Sequence, residues 1–315
     1  MQTTSTTAGI EAVSFALFHR DFQAFASAFD ASLARYGFAV VTDHGLNQER
    51  IDAALADARA FFALPDVEKG RYVTGRGGQR GYTPFGVETA KGETHHDLKE
   101  FWHMGRELAP GHRYTDLMAP NVWPERPATF RGNVSWLYRA LDDMGRLLLE
   151  AIAVRLGEPR GFFDAAVAEG NSILRLLHYP PVPANGPHLR AAAHEDINVI
   201  TLLLGAEEAG LEVKDHDGRW IAINPPPGSL VCNIGDMLQR LTNHRLPSTT
   251  HRVVNPSPER RGCSRYSTPF FLHFAPDYEI RTLAHCTGPE RPDRYPEPIT
   301  ADAFLKERLH EIKLL

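Results

Sequence analysis

A chain of 315 residues with 43% hydrophobic content can bury a sizeable core, as one large unit or two smaller ones. Its 34 basic and 39 acidic residues leave a net charge of −5 and no run of five or more Lys/Arg occurs, which argues against nucleic acid as a partner. The N-terminal "MQTTSTTAGIEAVSFALF" has no basic segment leading into an apolar one, and no apolar run reaches the roughly 18 residues of a membrane span, so a cytoplasmic protein is expected.

The first element is a helix: "DFQAFASAFDASLARYG" sets Phe22, Phe25, Phe29 and Leu33 at helical spacing and stops at Gly37. "FAVVTDHG" follows as a short apolar strand, and "QERIDAALADARAFFALP" returns to the helical period before Pro65. From Gly70 to Gly92, "GRYVTGRGGQRGYTPFGVETAKG" is rich in glycine and aperiodic, a long loop of the kind that lines sites. A helix is expected over residues 135 to 157, "SWLYRALDDMGRLLLEAIAVRLG", with a Leu/Ile stripe suited to a core. Beyond it the texture changes to short apolar runs broken by turns: "SILRLLHYPPVP", "INVITLLLG", "GLEVKD", "RWIAINPPPG", "SLVCNIGD", "STTHRVVN" and "RYSTPFFLHF". Many short strands without long helices between them predict a sandwich or barrel, and a jelly roll is the expected member of that class. "TADAFLKERLHEI" closes the chain as a helix, and no internal repeat is visible. The expected architecture is a mostly β core with flanking helices: an N-terminal helical and mixed region over 8–130, a jelly-roll (double-stranded β-helix) core over 131–290 and a C-terminal helix over 291–315. Cys232, Cys263 and Cys286 are odd in number and widely spaced, which fits reduced thiols in a chain large enough to fold without disulfides.

The stretch "AAAHEDINVITLLLG", residues 191 to 205, sets His194 and Asp196 against a long apolar run. Residues i and i+2 of a strand project from one face, so these two side chains can reach a common point while Glu195 faces away. His-x-Asp alone is a weak pattern, since it also occurs at His19 to Asp21 and His95 to Asp97, but only the third copy opens an apolar strand. A catalytic divalent ion needs a further ligand, and His251 in "STTHRVVNP", 55 residues after Asp196, is the candidate. Two imidazoles and one carboxylate leave half of an octahedral ion open, an arrangement associated with non-haem Fe(II) oxygen chemistry, whereas zinc more often takes a tetrahedron of protein ligands. Fourteen residues later "RYSTPFF" places Arg265 and Ser267 on one face of a strand, a guanidinium fork beside a hydroxyl that suits a carboxylate.

Taken together, His194-x-Asp196, His251 and Arg265-x-Ser267, with "WIAINPPPGSLVCNIGDMLQRLTN" between them, resemble the isopenicillin N synthase-like family of Fe(II)- and 2-oxoglutarate-dependent oxygenases. The likeness extends to "YGFAVVTDHGL" near residue 40 and to "LRLLHYPPVP", and so covers nearly the whole chain. It implies a jelly-roll core, Fe(II), O2 and 2-oxoglutarate as cosubstrate, whose 2-oxo group and C1 carboxylate chelate iron while its C5 carboxylate pairs with Arg265 and Ser267. Succinate and carbon dioxide would be co-products of the oxidation of a small-molecule substrate, with no obligate protein partner evident. Tyr179 corresponds to a tyrosine that points toward cosubstrate or substrate in relatives, and strand alternation carries Arg175 and Leu177 onto the same face. Arg175 is therefore expected to bind an anionic group, while Leu177 stands where many relatives have asparagine. "DLKEFWHMG", residues 97 to 105, is either a substrate wall or a strand with a buried tryptophan, and Trp220, Asn224 and Asn233 are assigned to packing and turn hydrogen bonds. Two rival readings remain: an oxidase on the same fold that draws electrons from its substrate, and a non-catalytic sensor that binds an organic acid.

Overall fold

Asp21 caps the helix Phe22–Tyr36 by accepting a 3.0 Å hydrogen bond from the Ala24 N–H, and Gly37 ends it in the left-handed region at φ 69°. That helix and the helices Gln48–Phe62 and Phe130–Arg155 pack together, and the last lies along a large sheet. These elements belong to a computed structural model that describes residues 10–75, 79–87, 98–181, 190–204, 210–256, 259 and 261–311. The second His-x-Asp copy, His95 to Asp97, lies outside the described residues.

Fifteen strands are present among the described residues: β1 (Ala12–Ser14), β2 (Phe38–Thr42), β3 (Gly81–Thr83), β4 (Glu100–Gly105), β5 (Ile173–Tyr179), β6 (Ala191–His194), β7 (Ile200–Leu204), β8 (Leu211–Lys214), β9 (Trp220–Ala222), β10 (Leu230–Ile234), β11 (His251–Val253), β12 (Arg265–Ser267), β13 (Pro269–Leu272), β14 (Glu279–Ile280) and β15 (Ile299–Thr300). The large sheet runs β1-β2-β10-β7-β13-β5-β4-β3, with β12 also paired to β5, and the small sheet runs β6-β11-β8-β9. This is the jelly-roll architecture, with helices on the outer face of the large sheet.

Alternation along the strands divides the apolar residues between two cores. Trp102 and Met104 of β4, Leu174 and Leu176 of β5 and Leu202 of β7 join the helices in the main core. Their neighbours face the space between the sheets, where Phe101, Leu177, Tyr179, Ala191 and Val253 form one cluster and Phe38, Val40, Leu211, Val213, Ile223 and Val231 form another. The reading of "DLKEFWHMG" as either wall or buried-tryptophan strand resolves by face: Trp102 is fully buried in the main core, while Phe101 looks into the inter-sheet space.

Three sequence expectations are corrected here. The glycine-rich segment is not all loop, because Gly81–Thr83 pairs antiparallel with β4. His194 and Asp196 do not open the apolar strand of "AAAHEDINVITLLLG": β6 ends at His194 in the small sheet, and Ile200–Leu204 is a separate strand of the large sheet. His194 and Asp196 thus come together through the turn that crosses between the sheets. "RYSTPFFLHF" likewise splits at Thr268 into β12 and β13, and Arg265 and Ser267 pair with β5.

Candidate active site

His194 ends β6 and His251 begins β11, and the two are direct Cα partners in the antiparallel ladder between those strands. Facing residues of such a pair point the same way, which sets the imidazoles side by side with ring centroids 4.4 Å apart. Asp196 enters from the crossover turn, its Oδ1 lying 3.9 Å from Nε2 of His194 and 3.9 Å from Nε2 of His251. The three ligand atoms lie within 4.8 Å of one another, and this is the only such group of three or more His, Cys, Asp or Glu side chains among the described residues.

Neighbouring groups fix the chemical form of each member. His194 Nδ1–H donates to the Ala192 carbonyl at 2.8 Å and His251 Nδ1–H to the Thr249 carbonyl at 3.2 Å, leaving both Nε2 lone pairs directed at the shared space. Phe38 braces the His251 ring edge-on at 5.3 Å. Burial, reinforced by His251, pushes His194 down to about 4, so its imidazole is neutral at physiological pH and able to ligate. The His194 side chain nonetheless keeps 41% of its surface exposed, so the group is open on one side. Burial opposes ionisation of Asp196, but the two histidines and hydrogen bonds from Thr201 and Asn233 reverse this and hold its carboxyl below the usual range. Thr201 Oγ1 donates to Asp196 Oδ2 at 2.6 Å and Asn233 Nδ2 at 2.8 Å, so one carboxylate oxygen is occupied and the other is left toward the histidines.

The donor set fits a divalent ion with open coordination positions: two imidazoles with Nε2 turned inward and one ionised carboxylate, on one side of a partly exposed space. Asn233, expected from sequence to serve packing and turn hydrogen bonds, donates its side-chain amide to Asp196 instead. Sequence reading missed Thr201 as well, which lies inside an apolar run and carries no motif of its own.

Arg265 and Ser267 sit on β12, opposite Tyr179 and Leu177 of β5, and all four face the space between the sheets. They are 2%, 6%, 3% and 6% exposed respectively, which sets a guanidinium and two hydroxyls into a largely dry wall. The Arg265 Cζ lies 5.2 Å from the Tyr179 ring centroid, and burial pulls its guanidinium below the ordinary arginine value. Arg175 lies on the same face of β5, with its Nε donating to His103 Nε2 at 2.5 Å and its Cζ 4.3 Å from the Phe101 ring centroid and 5.4 Å from that of Phe271. The alternation that carries Arg175, Leu177 and Tyr179 together is therefore present, with no bulge recorded between β5 and β4 or β12. Glu100 faces the other way and is buried among Lys69 (Nζ at 2.8 Å), the Tyr82 hydroxyl and His178 (Nδ1 at 2.7 Å), a network that ties β4 to β5 away from the site.

Comparison with known proteins bears on this geometry. Residues 10–126 match the family model of the non-haem dioxygenase in morphine synthesis N-terminal region, and residues 170–274 match that of the 2OG-Fe(II) oxygenase superfamily. The 2-oxoglutarate-Fe(II) type oxidoreductase hxnY of Emericella nidulans is 32% identical over 282 residues, 86% of this chain and 79% of that protein. The homoarginine-6-hydroxylase 2-ODD-C23.1 of Arabidopsis thaliana is 35% identical over 238 residues, 72% of this chain and 71% of its own length. Among solved structures, a 2OG-Fe(II) oxygenase family protein from Caulobacter crescentus superposes with a TM-score of 0.92 at 64% identity, covering 98% of this chain and 100% of that one. T7H of Neurospora crassa in complex with alpha-KG superposes with a TM-score of 0.86 at 28% identity, covering 98% and 99%.

Proposed function

The chain belongs to the 2OG-Fe(II) oxygenase superfamily and is an Fe(II)- and 2-oxoglutarate-dependent oxygenase of a small molecule, and from that premise we propose that His194, Asp196 and His251 hold its iron. The observation that carries this reading is the convergence of Nε2 of both histidines and Oδ1 of Asp196 within 4.8 Å. The isopenicillin N synthase-like branch is the finer placement we propose within the superfamily.

When bound, the iron and 2-oxoglutarate supply the oxidising power by consuming O2 and releasing succinate and carbon dioxide. The protein's part is to orient and to exclude water. Ala192 and Thr249 hold the histidine tautomers, and Thr201 and Asn233 leave Asp196 one oxygen for the metal. Arg265 and Ser267 take the C5 carboxylate of 2-oxoglutarate, with Tyr179 beside them, because a buried guanidinium in an apolar wall is stabilised by an anion. Leu177 offers no polar contact to the cosubstrate between them and the metal.

Arg175 binds an anionic group, either the C1 carboxylate of the cosubstrate or a carboxylate of the substrate. Its place on the face shared with Tyr179 supports this. Net charge of −5 and the lack of basic runs favour a small molecule over nucleic acid, and three free cysteines suit a cytoplasmic location. Among the described residues no helix is long and apolar enough to cross a membrane.

The test follows succinate and carbon dioxide from 2-oxoglutarate under oxygen, with and without candidate substrates, in wild type and in His194→Ala, Asp196→Ala and His251→Ala. Succinate formation that vanishes with each alanine, together with weakened Fe(II) binding in a folded protein, is expected. Oxygen uptake without succinate would instead favour the same-fold oxidase, and binding without turnover the sensor. Arg175→Met divides the remaining roles: loss of substrate-free decarboxylation assigns it to the cosubstrate, and loss of coupled turnover alone assigns it to the substrate.

A further inference from the structure

A second arginine lies at the Arg265 end of the inter-sheet space, and no step above uses it. Arg190 immediately precedes β6 and is fully buried. Its Nη2 donates to the Cys263 carbonyl at 3.0 Å, two residues before Arg265, and its backbone N–H donates to Asn255 Oδ1 at 3.2 Å. Its Nε and Nη1 are buried and have no hydrogen-bond partner. The next residue, Ala191, packs with Leu177 and Tyr179, the two residues that face Ser267 and Arg265 across the β5–β12 pair. Arg190 and Arg265 therefore flank the same tyrosine. Burial lowers the Arg190 pKa, and Arg265 lowers it further, as expected of two like charges brought close.

Among the described residues, no carboxylate forms an ion pair with Arg190. Holding two guanidinium groups near one another in a dry wall is unfavourable unless an anion joins them. A carboxylate has two oxygens and about four lone-pair directions, enough to accept from two forks at once.

We infer that Arg190 is a second guanidinium for the distal carboxylate of the 2-oxo acid, and so a specificity-determining residue that selects a dicarboxylate. The inference rests on the reading that Arg265 and Ser267 receive that carboxylate. Arg190 then does more than tie the start of β6 to the chain before β12. Its free Nε and Nη1 complete a clamp whose first half is Arg265, and a 2-oxo acid lacking the distal carboxylate leaves Nε and Nη1 of Arg190 without an acceptor.

The test titrates Fe(II)-loaded protein under anaerobic conditions with 2-oxoglutarate and with 2-oxopentanoate, which lacks the distal carboxylate, and reads binding by calorimetry. Arg190→Gln is expected to weaken 2-oxoglutarate roughly 10-fold to 100-fold, as the loss of one or two charge-assisted hydrogen bonds implies, and to change 2-oxopentanoate by less than about three-fold. Iron content and melting temperature are expected to stay close to wild type. Arg190→Lys, which keeps the charge and is the conservative variant should the glutamine protein not fold, is expected to lose less than Arg190→Gln while still favouring the monocarboxylate relative to wild type. Unchanged 2-oxoglutarate binding in both variants, or parallel weakening of both acids, would overturn the assignment. Arg265→Lys in the same assay separates the two layers: if it weakens 2-oxoglutarate while the Arg190 variants do not, only the role of Arg190 falls, and if neither residue matters the cosubstrate-end reading itself fails.

Discussion

At the scale of single residues, the decisive feature is the way Asp196 is divided between two tasks. Its Oδ2 accepts from Thr201 and Asn233, and its Oδ1 faces both histidines. Removing both donors in a Thr201→Val, Asn233→Leu protein frees the carboxylate to rotate, and Fe(II) affinity is expected to fall roughly 10-fold to 100-fold in a protein that still folds. An anaerobic Fe(II) titration that gives the wild-type affinity would show that this orientation does not matter. Arg265→Lys tests the other end: it keeps the charge but loses the planar fork, and is expected to weaken 2-oxoglutarate by on the order of 1.5 to 3 kcal/mol per lost charge-assisted bond with little change in iron affinity. Identical cosubstrate affinity in that variant would remove Arg265 from the role. His194, Asp196, His251, Arg265 and Ser267 were legible because motif spacing names them. Thr201, Asn233 and Arg190 were not, since a threonine in an apolar run, an asparagine near the end of an apolar strand and an arginine after a proline-rich stretch are ordinary in sequence and acquire meaning only from what the fold sets beside them.

Elements explain why the three ligands meet at all. The β6–β11 register places two histidines opposite one another, and the turn from β6 to β7 delivers the carboxylate. That turn is held from below: the Asp236 N–H donates to the Asp196 carbonyl at 2.8 Å and the Gly235 N–H to the Val199 carbonyl at 2.9 Å. Gly235 is needed for this close approach, because a Cβ there would lie 2.0 Å from the Asn198 carbonyl oxygen. Gly235→Ala is expected to lower stability by about 1 to 3 kcal/mol and to weaken Fe(II) binding as the crossover turn shifts. Denaturant unfolding and metal titration of that variant both matching wild type would contradict this account of the turn. The long helices were legible from periodicity, as Phe25, Phe29 and Leu33 show, whereas β3 and β6 were not. Strands of three or four residues are set by pairing with distant partners, and neither glycine-rich "RGYT" nor "AAAH" carries a local β signal. The same limit set His194 and Asp196 at the opening of the apolar strand in "AAAHEDINVITLLLG", where the chain in fact changes sheets.

For the whole molecule, burial of ionisable side chains couples stability to pH. His273 follows β13, is 6% exposed and donates its backbone N–H to Ser172 Oγ at 3.1 Å. Burial pushes its imidazole from 6.5 to about 4, with Arg80 adding to the effect against the opposing pull of Asp196. A base whose folded pKa is depressed stays neutral in the fold but takes up a proton when unfolded, so its contribution is intact above about pH 6.5 and is lost as pH falls toward 4. In metal-free protein, His273→Gln is expected to reduce the stability difference between pH 7 and pH 5 by about 2 kcal/mol relative to wild type, read from denaturant midpoints. Equal pH dependence in the two proteins would mean that His273 is not held neutral by the core.

Iron located in a crystal grown anaerobically with Fe(II) and 2-oxoglutarate, by anomalous scattering at the iron edge, tests the central claim most directly. The account predicts one iron peak bonded to Nε2 of His194, Nε2 of His251 and Oδ1 of Asp196, with the distal carboxylate of 2-oxoglutarate on Arg265 and Ser267. Iron bound elsewhere, or a cosubstrate whose distal carboxylate avoids Arg265, would contradict it.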